Sequence, residues 1–282
     1  MRPLIPVFSL FLLFLFACGG NEGMADKVAM EEENIEAEQP SNEAVLDAPG
    51  FEIIDRTDGV TLVDMPSSHS FPDAQINGIT YSNGKFDFDV SGYEFGVQTP
   101  DAEQLMCANS DKGQHIHLII DNEPYMAKYE PSFEQDITDG EHYMLTFLSR
   151  SYHQSIKRDR AARVAKVMSQ DGAFTSMEDI KEPMLFYSRP KGTYRGKKAT
   201  ENIMVDFYPI NAPFAEGYTV MAELDGEPLA KFSDWKSYYI KGMGMGEHTL
   251  TLTLMDKEGK AVDAPLNPVS RTFTLEELPT GE

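Results

Sequence analysis

A segment that occurs twice in the chain constrains its fold most. The first copy, GQHIHLIIDNEP, runs from Gly113 to Pro124, and the second, GYTVMAELDGEP, runs from Gly217 to Pro228. Both copies continue with Ala-Lys and an aromatic residue, then reach Gly-Glu-His and a run of alternating polarity. Alternation with a period of two indicates half-buried β-strands. The repeat therefore predicts two related β-domains.

The second copy serves as an internal control for the histidines of the first. A residue that the fold requires should occur in both copies, whereas one added for chemistry can occur in one. In the alignment of the two copies, His115 and His117 correspond to Thr219 and Met221, and His153 corresponds to Gly259. These three histidines therefore occur only in the first domain. His142 recurs as His248, and we expect it to hold a turn.

The remaining pattern predicts an all-β protein. Short runs of period two are separated by Gly, Pro, Asn and Asp, and Asn83-Gly84 is a strong hairpin signal. We expect two tandem immunoglobulin-like β-sandwiches. The predicted strands are 60–63, 76–81, 85–90, 93–97, 114–120, 143–148, 163–168, 184–187, 202–208, 218–224, 235–240, 249–254 and 270–275. The predicted divisions are a signal peptide at 1–17, a tether at 18–49, domains at 50–168 and 184–282, and a linker at 169–183.

The first residues form a targeting segment. The apolar run from Leu4 to Phe16 is too short to cross a membrane comfortably. The sequence Leu15-Phe16-Ala17-Cys18 resembles a bacterial lipobox, which implies that Cys18 is lipidated and begins the mature chain. The resemblance implies anchoring in a bacterial cell envelope, on the periplasmic or the surface face of the outer membrane. The alternative is an ordinary secretory signal with an incidental cysteine.

Charge and cysteine content restrict the possible functions and the roles of the cysteines. Residues 19–49 are rich in acidic side chains and poor in large apolar ones, which predicts a disordered tether. The whole chain carries a net charge of −22, which argues against nucleic-acid binding. With Cys18 lipidated, Cys107 has no partner for an internal disulfide. We interpret Cys107 as a small buried side chain, with metal ligation as the alternative.

The histidines that occur only in the first domain predict a metal site. On a strand, His115 and His117 share one face while Ile116, Leu118 and Ile120 share the other. Two such imidazoles, joined by His153 or His142, could hold copper or zinc. The alternative is a row of polar side chains on a solvated sheet face. Soft ligands could be added by Met106, Cys107, Met126 and Met144.

The histidine strand resembles a family of small bacterial extracytoplasmic domains of unknown function. Their strand reads Gly-His-His-His-Leu-Leu-Ile-Asp, and a Gly-x-His-Thr-Leu strand and a His-containing loop follow it. Here the matching elements are 113–121, 140–148 with its repeat at 246–254, and the loop around His153. The resemblance implies an immunoglobulin-like sandwich in which His115, His117, His142 and His153 lie together. One histidine of the family's run is replaced by Ile116.

A shorter motif indicates an anionic ligand. The sequence Ser149-Arg-Ser-Tyr-His-Gln-Ser-Ile156 is similar to the Ser-Arg-x-His-x-x-Ile of forkhead-associated domains, with one residue too many. The resemblance implies phosphopeptide binding. Arg150 and Arg158 are the candidate ligand-binding residues, and a solvated strand edge is the alternative.

The sequence contains no nucleophile elbow, phosphate loop or dinucleotide loop, so an enzyme is the third-ranked interpretation. The leading hypothesis is a lipid-anchored binding or structural protein of the cell envelope, with a metal ion or small ligand on the first domain. The second is an adhesion or peptide-binding module without metal, which would bind a cell-surface ligand.

Overall fold

Strands dominate the computed structural model, which describes residues 50–54 and 57–279. The predicted signal peptide at 1–17, Cys18 and the predicted tether at 18–49 lie outside the described residues. The strands within the described ranges are β1 (Phe51–Ile53), β2 (Thr61–Asp64), β3 (Gln75–Ser82), β4 (Lys85–Ser91), β5 (His115–Ile120), β6 (Met126–Lys128), β7 (Ser132–Glu134), β8 (Gly140–Ser149), β9 (Ala162–Gln170), β10 (Ala173–Glu178), β11 (Met184–Arg189), β12 (Gly192–Arg195), β13 (Ile203–Ile210), β14 (Thr219–Leu224), β15 (Glu227–Phe232), β16 (Tyr238–Lys241), β17 (Gly246–Met255) and β18 (Val269–Glu276).

Helical structure is minor in the same ranges. One four-residue helix, α1, spans Lys197–Thr200, and single 3₁₀ turns span Ala102–Gln104, Asp159–Ala161 and Phe214–Glu216. No helix in the described part of the chain has the length and apolar character needed to cross a membrane.

The first sandwich packs a five-stranded sheet, in the order β10-β9-β8-β5-β6, against a three-stranded sheet, β3-β4-β7. Alternation places Ile116 and Leu118 of β5 in its core, beside Met144 of β8 and Phe86 of β4. Antiparallel pairing of β5 with β8 sets Ile116 opposite Leu148 and His117 opposite Phe147. The histidines of β5 consequently point away from this core.

The second sandwich packs a six-stranded sheet, β1-β15-β14-β17-β18-β12, against a four-stranded sheet, β11-β13-β16-β2. Its core holds Leu185 and Phe207 from the smaller sheet and Val220 and Leu252 from the larger. The predicted all-β fold with two sandwiches is confirmed in the described residues.

Three segments differ from the expected boundaries. β1 and β2 lie in the range assigned to the first domain, but they pair with β15 and β16 of the second sandwich. They do so because Leu62 is buried in that sandwich's core. The expected linker contains β10, which pairs with β9 through a turn at Asp171 and Gly172, both at positive φ. Asp-Gly is a hairpin signal of the same kind as Asn83-Gly84.

The predicted strand at 93–97 was wrong. Gly92 and Gly96 adopt positive φ, which interrupts the extended backbone. Tyr93 instead donates a hydrogen bond from its hydroxyl to the Ser149 carbonyl at 2.6 Å. Backbone hydrogen bonds join Gly96 and Val97 to Gln114, so the segment lies beside the start of β5.

The repeated turn explains the shared histidines. His142 Nδ1 lies 2.6 Å from Asp121 Oδ2, and its Nε2 lies 2.8 Å from the Thr138 carbonyl. In the second sandwich, His248 makes the same pair of contacts with Asp225 and the Gly244 carbonyl. Each aspartate also accepts the amide of the residue after the histidine. His142 therefore fastens the turn between β5 and β6 to the start of β8.

A third apolar cluster lies between the sandwiches. Ile119 and Phe147 of the first contact Phe186 and Tyr208 of the second. The Asn122 side chain adds two hydrogen bonds to the β11 backbone, donating to the Leu185 carbonyl and accepting from the Tyr187 amide. The sheet face that carries the histidines is thus covered by the second sandwich.

Candidate metal centre

His115 and His117 are fully buried on the face of β5 that looks toward the second sandwich. The alternative of a solvated sheet face was wrong, because clusters of apolar residues from both sandwiches enclose this surface. A buried imidazole needs a partner for each ring nitrogen.

His153 joins them from the turn after β8. It adopts a positive φ of 68°, and its counterpart Gly259 adopts 75°. The two turns are built alike, since His153 N donates to the Arg150 carbonyl and Gly259 N donates to the Asp256 carbonyl. A non-glycine residue in this region costs about 1 kcal/mol or more. The first sandwich therefore has a strained His153 at the position where the second sandwich has the unstrained Gly259.

The three side chains converge on one point, and we name them the histidine cluster. His115 Nε2 lies 2.9 Å from His117 Nε2 and 3.0 Å from His153 Nδ1. One potential ligand atom from each residue lies within 4.8 Å of the others. Two Zn–N bonds of about 2.0–2.1 Å at a tetrahedral angle separate their nitrogens by about 3.4 Å. The two separations from His115 Nε2 are within about 0.5 Å of that distance, and the His117 and His153 nitrogens lie within 4.8 Å of each other.

Protonation favours the ligand form of each ring. His115 Nδ1 donates to the Gly113 carbonyl at 2.7 Å, which leaves the lone pair of the neutral ring on Nε2. Burial lowers the pKa of His115 to about 4. Burial likewise holds the pKa values of His117 and His153 well below their usual range. All three rings are therefore neutral near pH 7, as metal ligation requires.

The same hydrogen bond makes His115 Nε2 an acceptor at the centre of the cluster. This nitrogen faces one ring nitrogen of His117 and one of His153, and in the neutral ring it carries a lone pair and no proton. An N–H of either neighbouring ring satisfies that lone pair in the metal-free protein, and a metal ion would bind it together with the lone pairs of the other two rings. A backbone carbonyl that holds the distal N–H, as Gly113 does here, is the usual support for a metal-binding histidine.

Aromatic rings fix the orientation of the cluster. Tyr125 stacks on His117 with ring centroids 3.6 Å apart and planes 7° apart. Phe147 contacts the same ring at 4.7 Å, and Tyr129 lies 4.9 Å from His115. The Tyr125 hydroxyl is 3.3 Å from His153 Nδ1. These contacts hold the rings in place before any ligand binds.

The second sandwich supplies residues that the sequence did not indicate. Ser188 Oγ lies 3.5 Å from His117 Nδ1. Arg189 donates to the hydroxyls of Tyr125 and Tyr194, at 2.6 and 2.9 Å. Lys191 donates to the Tyr125 carbonyl at 2.8 Å. The one available signal was the run Met184–Arg189, which lacks alternation because both faces of β11 are buried.

The other predicted ligands lie elsewhere. His142 is outside the cluster because Asp121 and Thr138 engage both of its nitrogens. Met126 and Met144 pair with Leu118 and Ile120, so register puts them on the opposite face of the sheet. Met106 is exposed. Cys107 is buried in a separate cluster with Tyr152 and Tyr239, as the interpretation of a small core residue expects.

The two candidate arginines, Arg150 and Arg158, line one cleft of about 480 Å³, but only Arg158 is exposed there. Arg150 is buried, and its guanidinium donates to the backbone carbonyls of His69 and Ser155. It therefore ties the loop before β3 to the turn after β8 instead of presenting an open phosphate site. Arg158 is exposed at the 3₁₀ turn that precedes β9.

No family model matches the chain, and no curated protein matches it. Among solved structures, the chain is similar to the fibronectin(III)-like modules of Clostridium thermocellum CbhA, with 16% identity, 34% of this chain and 100% of that chain covered, and a TM-score of 0.27. It is similar to the central fibronectin-III array of RIM-binding protein, with 11% identity, 76% and 73% covered, and a TM-score of 0.25. A Ca²⁺-stabilized adhesin of an ice-binding Antarctic bacterium gives 14% identity, 78% and 48% covered, and a TM-score of 0.23. Similarities this low carry no information about function, which rests on the site itself.

Proposed function

We propose that the chain is a lipid-anchored protein of the bacterial cell envelope that binds one metal ion, zinc or copper, through His115, His117 and His153. The observation that supports the proposal is the convergence of three neutral imidazoles on one point, two of them fully buried and His153 half-buried. Each of these histidines is replaced by another residue type in the second sandwich, which folds without them.

The ligand set narrows the choice of metal. Imidazole nitrogens suit Zn²⁺ and Cu²⁺, whereas Cu⁺ sites draw on thiolates and thioethers. The methionines of β6 and β8 lie on the opposite sheet face, so the cluster is an all-nitrogen set. Three histidines with a fourth position left for another ligand match the pattern of an open zinc site. Zinc is accordingly the first metal to test and Cu²⁺ the second.

Calorimetry on the purified full-length protein tests the proposal. We expect one Zn²⁺ per chain in the wild type, and binding weaker by at least a hundred-fold in the double variant His115→Ala/His117→Ala. The matched control is His248→Ala, which removes an imidazole from the equivalent strand pair of the second sandwich. Equal affinity in the double variant and the wild type, for both Zn²⁺ and Cu²⁺, would remove the proposal.

The envelope location rests on the sequence around Cys18. Two or more acyl chains give stable membrane attachment, whereas a single chain is marginal. We expect the wild type to sediment with the membrane fraction and Cys18→Ala to be released into the soluble fraction. Equal partitioning of the two forms contradicts the lipid anchor without affecting metal binding.

A further inference from the structure

A cleft of about 440 Å³ opens beside the histidine cluster. Its wall includes His153 and four cationic side chains, and we name it the basic cleft. The cations are Arg189, Lys191, Arg195 and Lys198, with Asp111 as the acidic residue among the lining side chains. This concentration of positive charge is unusual in a chain whose net charge is −22.

Arg189 is the most informative residue of the cleft. It is only 5% exposed, and its two terminal nitrogens donate to tyrosine hydroxyls. Its Nε–H is buried and has no acceptor in the structure. Leaving a buried donor unpaired costs about 1–3 kcal/mol, and more for a charged group. The unpaired N–H therefore points to an acceptor supplied by a ligand.

Lys191 adds a second poorly solvated cation. Its ammonium lies 3.9 Å from the centre of the Tyr125 ring and donates to the Tyr125 carbonyl. Burial, followed by the neighbouring guanidiniums of Arg189 and Arg271, lowers the pKa of Lys191 to about 8. Within the described ranges, no ion pair joins a carboxylate to Arg189 or Lys191, whereas Arg195 pairs with Glu276 at 2.7 Å. Two adjacent cations thus lack a counter-charge.

We propose that the basic cleft binds a small oxyanion, a phosphate or a carboxylate, between Arg189, Lys191 and the metal. Guanidinium and ammonium groups suit such oxygens, and a cleft of this volume admits a small molecule rather than a folded partner. An oxygen at the fourth position would complete the coordination of the ion. That last contact rests on the metal function proposed above, whereas the contacts to Arg189 and Lys191 do not need the metal.

The test is calorimetric titration of inorganic phosphate, and separately of acetate, into the full-length protein with and without zinc. We expect phosphate binding to the zinc-loaded wild type and at least ten-fold weaker binding to Lys191→Gln. The matched control is Lys197→Gln, which removes the same charge from an exposed residue that lines a different cleft. Its phosphate affinity should equal that of the wild type. Binding of acetate but not of phosphate would identify a carboxylate as the preferred oxyanion.

A second variant covers the case in which Lys191→Gln does not fold, as judged by its melting transition. Lys198→Gln alters the exposed rim of the basic cleft, and we expect about three-fold weaker phosphate binding.

The inference is overturned if neither phosphate nor acetate binds, or if Lys191→Gln and the wild type bind with equal affinity. Zinc binding without anion binding leaves the metal proposal intact. Lysine-dependent phosphate binding by a protein that takes up no zinc supports the cleft and removes the metal proposal.

Discussion

At the scale of single residues, His153 links backbone strain to the candidate site. Its backbone has a positive φ, as does that of Gly259 at the corresponding position of the second sandwich. Its Nδ1 lies 3.0 Å from His115 Nε2. Strained non-glycine positions persist where the surroundings determine them, and they concentrate at functional sites. The strained backbone at His153 therefore places its imidazole against His115.

We predict that His153→Gly separates binding from stability. Relief of the positive φ offsets the lost ring contacts, so the free energy of unfolding should change by no more than about 1 kcal/mol. Zinc affinity should fall at least ten-fold, since two imidazoles remain. Urea unfolding and calorimetry measure the two quantities. Asp171→Gly, which relieves a φ of 51° in the β9–β10 turn, is the control and should leave zinc affinity unchanged.

His142 gives a prediction on pH. Burial lowers its pKa, but hydrogen bonds to the Asp121 carboxylate and the Thr138 carbonyl outweigh burial, so the pKa lies above its usual value. Stability from the charged ring is therefore fully present below pH 6.5 and is lost as pH rises through the folded-state pKa. We expect His142→Gln to cost about 1 kcal/mol at pH 6 and much less at pH 9.

Urea unfolding of both proteins between pH 5.5 and 9 measures this difference. Asp121→Asn should remove the same pH-dependent part, because it takes away the carboxylate that favours the charged ring. A stability difference that stays constant across the range is inconsistent with the His142–Asp121 interaction described here.

At the scale of elements, β5 and β11 form the two walls of the site. Both strands are buried on both faces except at the end of β5, because each belongs to one sandwich and also packs against the other. Phe186 of β11 lies in the cluster between the sandwiches, next to the positions that carry Ser188 and Arg189. The packing of β11 thus sets the position of the groups around the histidine cluster.

We predict that Phe186→Ala costs about 3–5 kcal/mol in the free energy of unfolding, the usual range for a buried phenylalanine. Zinc affinity should also fall, because the cavity loosens β11 against β5. Val63→Ala on the exposed face of β2 is the comparison and should change stability by about 0.5 kcal/mol or less. Equal unfolding free energies for the two variants would show that the packing between sandwiches contributes little.

At the scale of the whole molecule, the repeat predicted the fold well and the site in part. The alternation of polar and apolar residues predicted most strands and the sheet face that carries His115 and His117. The alignment of the two copies identified His153 as specific to the first domain and His142 as a shared turn residue. The second wall could not be predicted, because His117 and Ser188 are 71 residues apart and meet through sheet packing. The pairing of β1 and β2 with the second sandwich is equally non-local.

Anomalous diffraction from crystals of the zinc-loaded protein, recorded on both sides of the zinc absorption edge, tests the central claim most directly. We expect one strong peak about 2.0–2.1 Å from His115 Nε2, His117 Nε2 and His153 Nδ1. Crystals whose zinc peaks lie only at surface carboxylates, with none at the histidine cluster, would contradict it.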